Sequence, residues 1–473
     1  MKTRSDILFG ALCAVIVVWF LAQRIQREVS ERRWEKERQE RILIDFSKTK
    51  EDVMEEISRY IPDVNDSMML AWEQAGKLEF IDTPEGKRYF RRTAANLFRT
   101  DTSLFRIKNP EGYRMEGYEA DDSENVPAIM RDVLALEKGG FDHPEFAQPK
   151  RFRVTYTLTV DPDAVPEGET IRCWLPYPRS DTPRQKDIIL IGTDPETHVF
   201  SPSGAPHSTV YLEKKAEKGK GTVFSETFEY TSFGEWHNLS PEDVKPYDKT
   251  RSEYKINTSE RNQHIRFTPA LRALAEKITQ GIDNPLLQAR AIFTYINDNY
   301  PWAGAREYST IPDIPSYVIE NGHGDCGQVG LLLITLCRIK GIPAKWESGF
   351  MMHPQGWNLH DWAEIYFEGI GWVPADVSFG IPPYALRESP LQGIWAPDDP
   401  TVNIPGTEFF FLGGIDSYRM VVNNDYSGGL YPKKKYPRSE TVDFQRGEVE
   451  WKGGNLYFPK WDYHMDIEYL PES

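Results

Sequence analysis

The sequence predicts an α+β protein, and three observations carry that prediction. From Arg151 apolar and polar residues alternate strictly, the pattern of half-buried strands. From about Thr268 the apolar period becomes helical. Around Cys326 a glycine-rich turn opens an almost wholly apolar helix, which two short strands follow. At 473 residues the chain is too long for one core. The composition shifts divide it into an anchor segment at 1–23, a helical region at 24–145, a β-sandwich at 150–235, a mixed α+β core at 255–390 and a β-rich extension at 391–473.

Ile7 to Ala22 reads ILFGALCAVIVVWFLA, uncharged throughout and preceded by Lys2 and Arg4. As a helix it would span about 24 Å, slightly short of a ~30 Å hydrocarbon core. Phe20-Leu21-Ala22 makes a poor cleavage site because Phe stands where a small residue is wanted. The segment therefore reads as an uncleaved signal anchor holding an extracytoplasmic body at the membrane. A cleaved signal peptide, giving a secreted or periplasmic protein, is the alternative. The basic residues between Arg24 and Arg41 pull the other way, because positive flanks favour the cytoplasmic side. Gln23 to Gln39 mixes Arg, Glu, Lys and Gln and reads as a solvated helix. Residues 42–145 carry helical patterns such as Met54, Ile57 and Ile61, then Met68, Met69 and Trp72, with a loop at the acidic stretch Glu119 to Glu124.

The first strand, RFRVTYTLTV, puts Phe152, Val154, Tyr156, Leu158 and Val160 on one face. IRCWLPYPRS, DIILIG, STVYLEK and TVFSETFEYT follow, separated by turn residues, and EKGKG at 217–221 reads as a hairpin connection. Successive short strands without intervening helices predict a sandwich. Cys173 falls inside one of them and reads as a buried structural thiol.

Composition excludes several functions. A net charge of -16 and the lack of a basic stripe argue against nucleic acid as a partner. The four cysteines include no CxxC pair, so no zinc ribbon or dithiol redox site is expected. A Cys173–Cys337 bridge is open, but nothing favours it. No acidic calcium-loop spacing occurs, and His323 has no Cys/His companions, so neither a metal nor a cofactor is expected.

Asn284 can cap a helix that Pro285 opens, with Leu286, Ala289, Ile292, Phe293, Ile296 and Tyr300 on one stripe. The segment NGHGDCGQVGLLLITLCRIKGIPAKW then places Cys326 at the amino end of a buried helix that Gly341 ends. Free N–H groups and the helix dipole lower a thiol pKa there, with Asp325 modestly opposing, and the Cys326 N–H is placed to donate to an oxyanion. A buried inert cysteine is the competing reading, and Cys337 fits it. LHDWAEIYFEGIGWVPADVSFG follows. Folded about Glu368-Gly369-Ile370-Gly371 as a hairpin, it sets His360 nearly opposite Asp376. Asp361 is the rival carboxylate. Strand alternation turns it to the other face, so replacing it by Asn is expected to be mild.

The blocks GDCGQVGLLLITLCRIKGIPAKW and HDWAEIYFEGIGWVPADVSFG resemble the core of the transglutaminase-like superfamily. The resemblance covers about 265 to 385 and implies a papain-like α+β core with Cys326 as nucleophile, His360 as general base and acid, and Asp376 as orienting residue. The sandwich with its WLPYP strand resembles domains that precede bacterial cores of this type. GGIDSYRM and GEVEWKGGNLYF also look familiar from such proteins, without a role attached. Asp325 and Gly327 depart from crosslinking members, which have Gln and Trp in those places. Trp302 and Tyr300, ahead of the cysteine, are candidates to line the cleft or supply a second oxyanion donor. The function expected is thioester-forming hydrolysis of a peptide or amide bond in a peptide or protein substrate, with cell-envelope material among the candidates. Transamidation and a non-catalytic scaffold are the alternatives.

Overall fold

The computed structural model describes residues 31–108, 145–354, 356–379 and 409–471, with a few positions between 19 and 29. Apart from Trp19, the anchor expected at Ile7–Ala22 lies outside the described residues, as does the stretch Glu119 to Glu124. Among the described residues no helix is long and apolar enough to cross a membrane.

Residues 31–45 are helical. The first two turns are mostly exposed, as the charge pattern asks, but the helix ends in the body of the protein. Arg41 is buried and donates to the carbonyls of Arg438 and Ser439 at 3.0 and 3.1 Å. Helices Lys50–Ser58, Asp66–Gln74, Thr93–Thr100 and Thr102–Lys108 follow. Val53, Ile57, Met69, Leu97 and Phe98 form their common core. A hairpin, Phe80–Thr83 with Gly86–Tyr89, interrupts the helices, an element the helical reading of 24–145 lacked. This region docks on the core through Asn96, whose side-chain amide exchanges two hydrogen bonds with the Gly304 backbone at 2.9 and 2.8 Å.

Strict alternation gives the sandwich its inner face: Phe152, Val154, Tyr156, Leu158 and Val160 are all buried. Their strand, Glu145–Val160, pairs antiparallel with Thr222–Trp236, and Thr170–Pro176 pairs with Thr209–Lys215 in the second sheet. EKGKG therefore joins strands of different sheets, not a hairpin. Gly219, at φ +69°, makes the turn, but the strand after it completes a register of fourteen-residue reach with Glu145–Val160 that no local partner matches. Cys173 is buried in Thr170–Pro176, and Cys173, Cys326 and Cys337 are all free thiols. Both sheets are completed from the carboxyl end. Glu448–Trp451 lies beside Thr170–Pro176, and Trp461–Leu470 beside Glu145–Val160.

The core sheet is antiparallel in the order Gly371–Ala375, Gly356–Phe367, Ala344–His353, Arg419–Asn423. Helices Pro269–Ile278, Pro285–Asn299, Ile314–Asn321 and Cys326–Ile339 pack on it, sharing one apolar cluster with Ala363, Ile365, Phe367, Val373 and Ala375. Further along the same face Leu359, Phe350 and Met352 turn to the sandwich cluster instead. Asp361 and Ser348 sit at the seam between the two cores.

Candidate active site

The cysteine helix begins where its caps put it. Asp325 is the N-cap, its carboxylate accepting from the Gln328 N–H at 3.1 Å, while the Gln328 side chain accepts from the Asp325 N–H at 3.1 Å. This reciprocal pair satisfies two otherwise orphaned donors and fixes Cys326 as the first helical residue. Gly327 through Arg338 are buried, so the helix is pinned all round and only its amino end, with the half-buried Cys326, meets the site. Gly327 is required by space: a Cβ there would collide with the Tyr308 hydroxyl and the Asp361 carboxylate.

Strand pairing then brings the other two residues together. Phe367 faces Gly371 and Ala363 faces Ala375, so Asp376, one residue on, reaches His360 diagonally across the hairpin. His360 Nε2 and Asp376 Oδ2 are 2.7 Å apart and buried. The carboxylate accepts, so Nε2 carries the proton and Nδ1 offers the lone pair. Phe379 stands edge-on to the imidazole at 5.1 Å. Burial holds the His360 pKa below its ordinary value despite the pull of Asp376. Burial pushes the Asp376 carboxyl up, but His360 and Arg419 outweigh it and hold the group below the usual carboxylate range.

Arg419 was invisible as a site residue in the linear sequence, although GGIDSYRM contains it. It is buried, and it donates through Nη1 to Asp376 Oδ2 at 2.8 Å and through Nε and Nη2 to Asp416 Oδ2 at 2.9 and 2.7 Å. Asp416 in turn lies 3.4 Å from His353 Nε2. The Asp376 carboxylate is thus clamped from both sides, and its other oxygen accepts from the Ser378 and Phe379 N–H groups.

Two expectations about the thiol are corrected. The pKa of Cys326 is not lowered: burial pushes it well above its ordinary value, with the charges of Asp361, Asp325 and Asp376 adding to the push. A helix terminus contributes about 0.3–1 kcal/mol, and desolvation with three like charges outweighs that. Asp361 alternates with His360 along their strand, as expected, but it does not stand clear of the thiol. Cys326 Sγ donates to Asp361 Oδ2 at 3.5 Å, and the hydrogen bonds of His360 run to Asp376 instead. Trp302 bridges to Gly324, two residues before the cysteine, and lies half-exposed beneath the Arg99 guanidinium at 4.5 Å. Tyr300 closes the helix Pro285–Asn299 and packs against the core. His323 Nδ1 lies 2.9 Å from the Asn321 carbonyl.

Residues 272–377 match the family model of the transglutaminase-like superfamily. The segment is a transglutaminase-like core. The three residues expected to carry the chemistry, Cys326, His360 and Asp376, all fall within the match. A stretch of 129 residues is 28% identical to uncharacterized protein YebA of Bacillus subtilis (strain 168), covering 23% of this chain and 17% of that protein's length. Among solved structures, one described as "a Putative Cysteine Protease from Cytophaga hutchinsonii" aligns over 70% of this chain and 94% of its own, at 14% identity and a TM-score of 0.43. The periplasmic domain of TgpA from Pseudomonas aeruginosa aligns over 51% of this chain and 94% of its own, at 14% identity and a TM-score of 0.27.

Proposed function

We propose that the transglutaminase-like core is a cysteine-dependent acyl-transfer enzyme that hydrolyses a peptide or amide bond. The observation that carries this reading is the buried 2.7 Å contact between His360 Nε2 and Asp376 Oδ2, in a core whose cysteine opens the central helix. Asp376 fixes the tautomer, leaving His360 Nδ1 as the base. The thiol proton passes to that nitrogen as Cys326 Sγ attacks the carbonyl carbon, and the Cys326 N–H, which has no acceptor within its own helix, faces the developing oxyanion. The imidazolium returns the proton to the departing amine, leaving a thioester. Water, deprotonated by the same imidazole, cleaves the thioester and restores the thiol. Because burial favours the neutral forms of both thiol and imidazole, proton transfer accompanies attack and no ion pair stands ready beforehand.

The test is turnover of peptide and amide libraries by the wild type and by Cys326→Ala. We expect a stoichiometric burst of leaving group followed by hydrolysis in the wild type, and no turnover in the variant. Peptide turnover undiminished in Cys326→Ala sinks the reading. Capture of the acyl group by lysine or polyamine in preference to water would assign transamidation to the same thioester.

A further inference from the structure

We propose that Asp361 is a fourth catalytic residue: it accepts the hydrogen of the Cys326 thiol and holds the nucleophile un-ionised between turnovers. The proposal rests on Cys326 being the nucleophile. Its basis is a convergence of donors on one buried carboxylate. Cys326 Sγ reaches Asp361 Oδ2 at 3.5 Å; the Tyr308 hydroxyl, which donates to Asp325 Oδ1 at 2.7 Å, lies 3.4 Å from the same Asp361 oxygen. Gln445 Nε2 donates to Oδ1 at 2.8 Å while also donating to the His360 carbonyl at 2.9 Å. The Asp443 carboxyl group is bonded to Asp361 as well. The donors come from the cysteine helix and the segment near residue 445, and the turn Tyr308–Thr310 packs beside them, so three separate parts of the chain surround one carboxylate.

Gly327 belongs to the same arrangement. The space a side chain would fill is occupied by Tyr308 and Asp361, so the glycine that departs from crosslinking members is what lets the carboxylate reach the thiol. The charges that bear on the thiol are three carboxylates from different elements. Asp325 stands on its own helix and Asp361 on the neighbouring strand, and Asp376 acts from beyond Ala375. Tyr308 approaches from the turn. Asp443 and Glu440 act on Asp361 from the carboxyl-terminal segment, where Arg446 is engaged by Glu307 and Glu440. Burial raises the Asp361 carboxyl to about 7 and the Asp443 carboxyl well above the usual range, while the thiol is pushed above its own ordinary value, so Asp361 is ionised before the thiol begins to titrate. Turnover then requires the S–H to leave Asp361 and deliver its proton to His360.

The experiment is pH-dependent iodoacetamide labelling of the full chain, read at Cys326 by peptide mass spectrometry. Asp361→Asn keeps the shape and removes the charge. We expect its labelling midpoint to fall by about one unit, so that Cys326 labels roughly tenfold faster at neutral pH, while Cys173 and Cys337 stay protected. Asp443→Asn, which leaves Asp361 charged, should not lower the midpoint. A folded Asp361→Asn that labels at or below the wild-type rate overturns the proposal. A second measurement needs no Asp361 variant: at neutral pH the wild type should show an infrared S–H band that disappears in Cys326→Ser. Its absence, meaning a thiolate, also overturns the proposal. Failure of the functional reading would look different, because Cys326→Ala would then keep its turnover.

Discussion

At the residue scale the decisive question is what each buried charge is given in return for its lost water. Arg419 receives two carboxylates, Asp376 and Asp416, and each of them receives the same guanidinium. Removing one partner from such an arrangement leaves uncompensated buried charge and costs about 3–5 kcal/mol. Arg419→Gln should therefore lower the melting temperature strongly, and it should also move the chemistry. Arg419 disfavours the imidazolium of His360, so its loss raises the His360 pKa. The base must be neutral to act, which puts the acid limb of kcat/KM in the wild type below the ~6.5 of an ordinary histidine. In Arg419→Gln that limb should shift upward, with kcat lower by ~10²-fold. Arg419→Lys should recover part of the shift, because it restores the charge without the fork. A pH–rate profile and calorimetry on the three proteins check this; an unmoved limb in a folded Arg419→Gln would reduce Arg419 to a structural role. The pairing of His360 with Asp376 was legible because sixteen residues and one turn separate them. The Arg419 clamp, forty-three residues away across undescribed chain, was not, since nothing local in GGIDSYRM says which carboxylate its arginine will meet. The thiol pKa was misjudged for a related reason. A helix terminus can be read from the sequence, whereas Asp361 and Asp376 reach the thiol only through tertiary packing.

At the scale of elements, local signals placed what local interactions decide. Asp325 and Gln328 mark the start of the cysteine helix in the sequence, and Glu368 to Gly371 mark the turn of the hairpin. EKGKG failed as a hairpin because a turn fixes a change of direction and not the partner of the strand that follows. The cysteine helix offers a test of how tightly its amino end is fitted. Gly327→Ala would drive a methyl into Tyr308 and Asp361, whereas at Gly330 the added Cβ meets only the Trp346 ring, at an ordinary 3.7 Å. Both substitutions gain about 1 kcal/mol of helix propensity. Gly330→Ala should therefore be neutral or stabilising and fully active. Gly327→Ala should lose that gain to the displaced contacts, melt below the wild type, and alter Cys326 labelling. Equal melting temperatures for the two variants would mean that Tyr308 and Asp361 yield freely.

At the scale of the whole molecule, the carboxyl-terminal segment makes sandwich and core one structure. Arg446 is held at 2.6 and 3.1 Å by Glu307, which immediately precedes the turn Tyr308–Thr310 beside the site. Gln445 touches both His360 and Asp361. Immediately afterwards the chain leaves the site to complete both sandwich sheets, where Val449 lies opposite Cys173. A chain truncated after Gly447 keeps every residue of the site, yet it loses Glu448–Trp451 and Trp461–Leu470. If the sandwich depended only on 150–235, that truncation would be tolerated. The register says otherwise: Glu145–Val160, its longest strand, would lose the partner that runs along it from Trp461↔Val160 to Leu470↔Arg151, exposing a long row of backbone donors and acceptors. We expect the truncated chain to lose cooperative melting and to aggregate. Cys173, buried in the intact protein, should become open to alkylation under native conditions, and Cys326 labelling should change with it because Gln445 is no longer anchored. The intact chain should melt in a single transition followed identically by sandwich and core probes. Continued protection of Cys173 in the truncated chain, at the wild-type melting temperature, would show that the two cores are held independently.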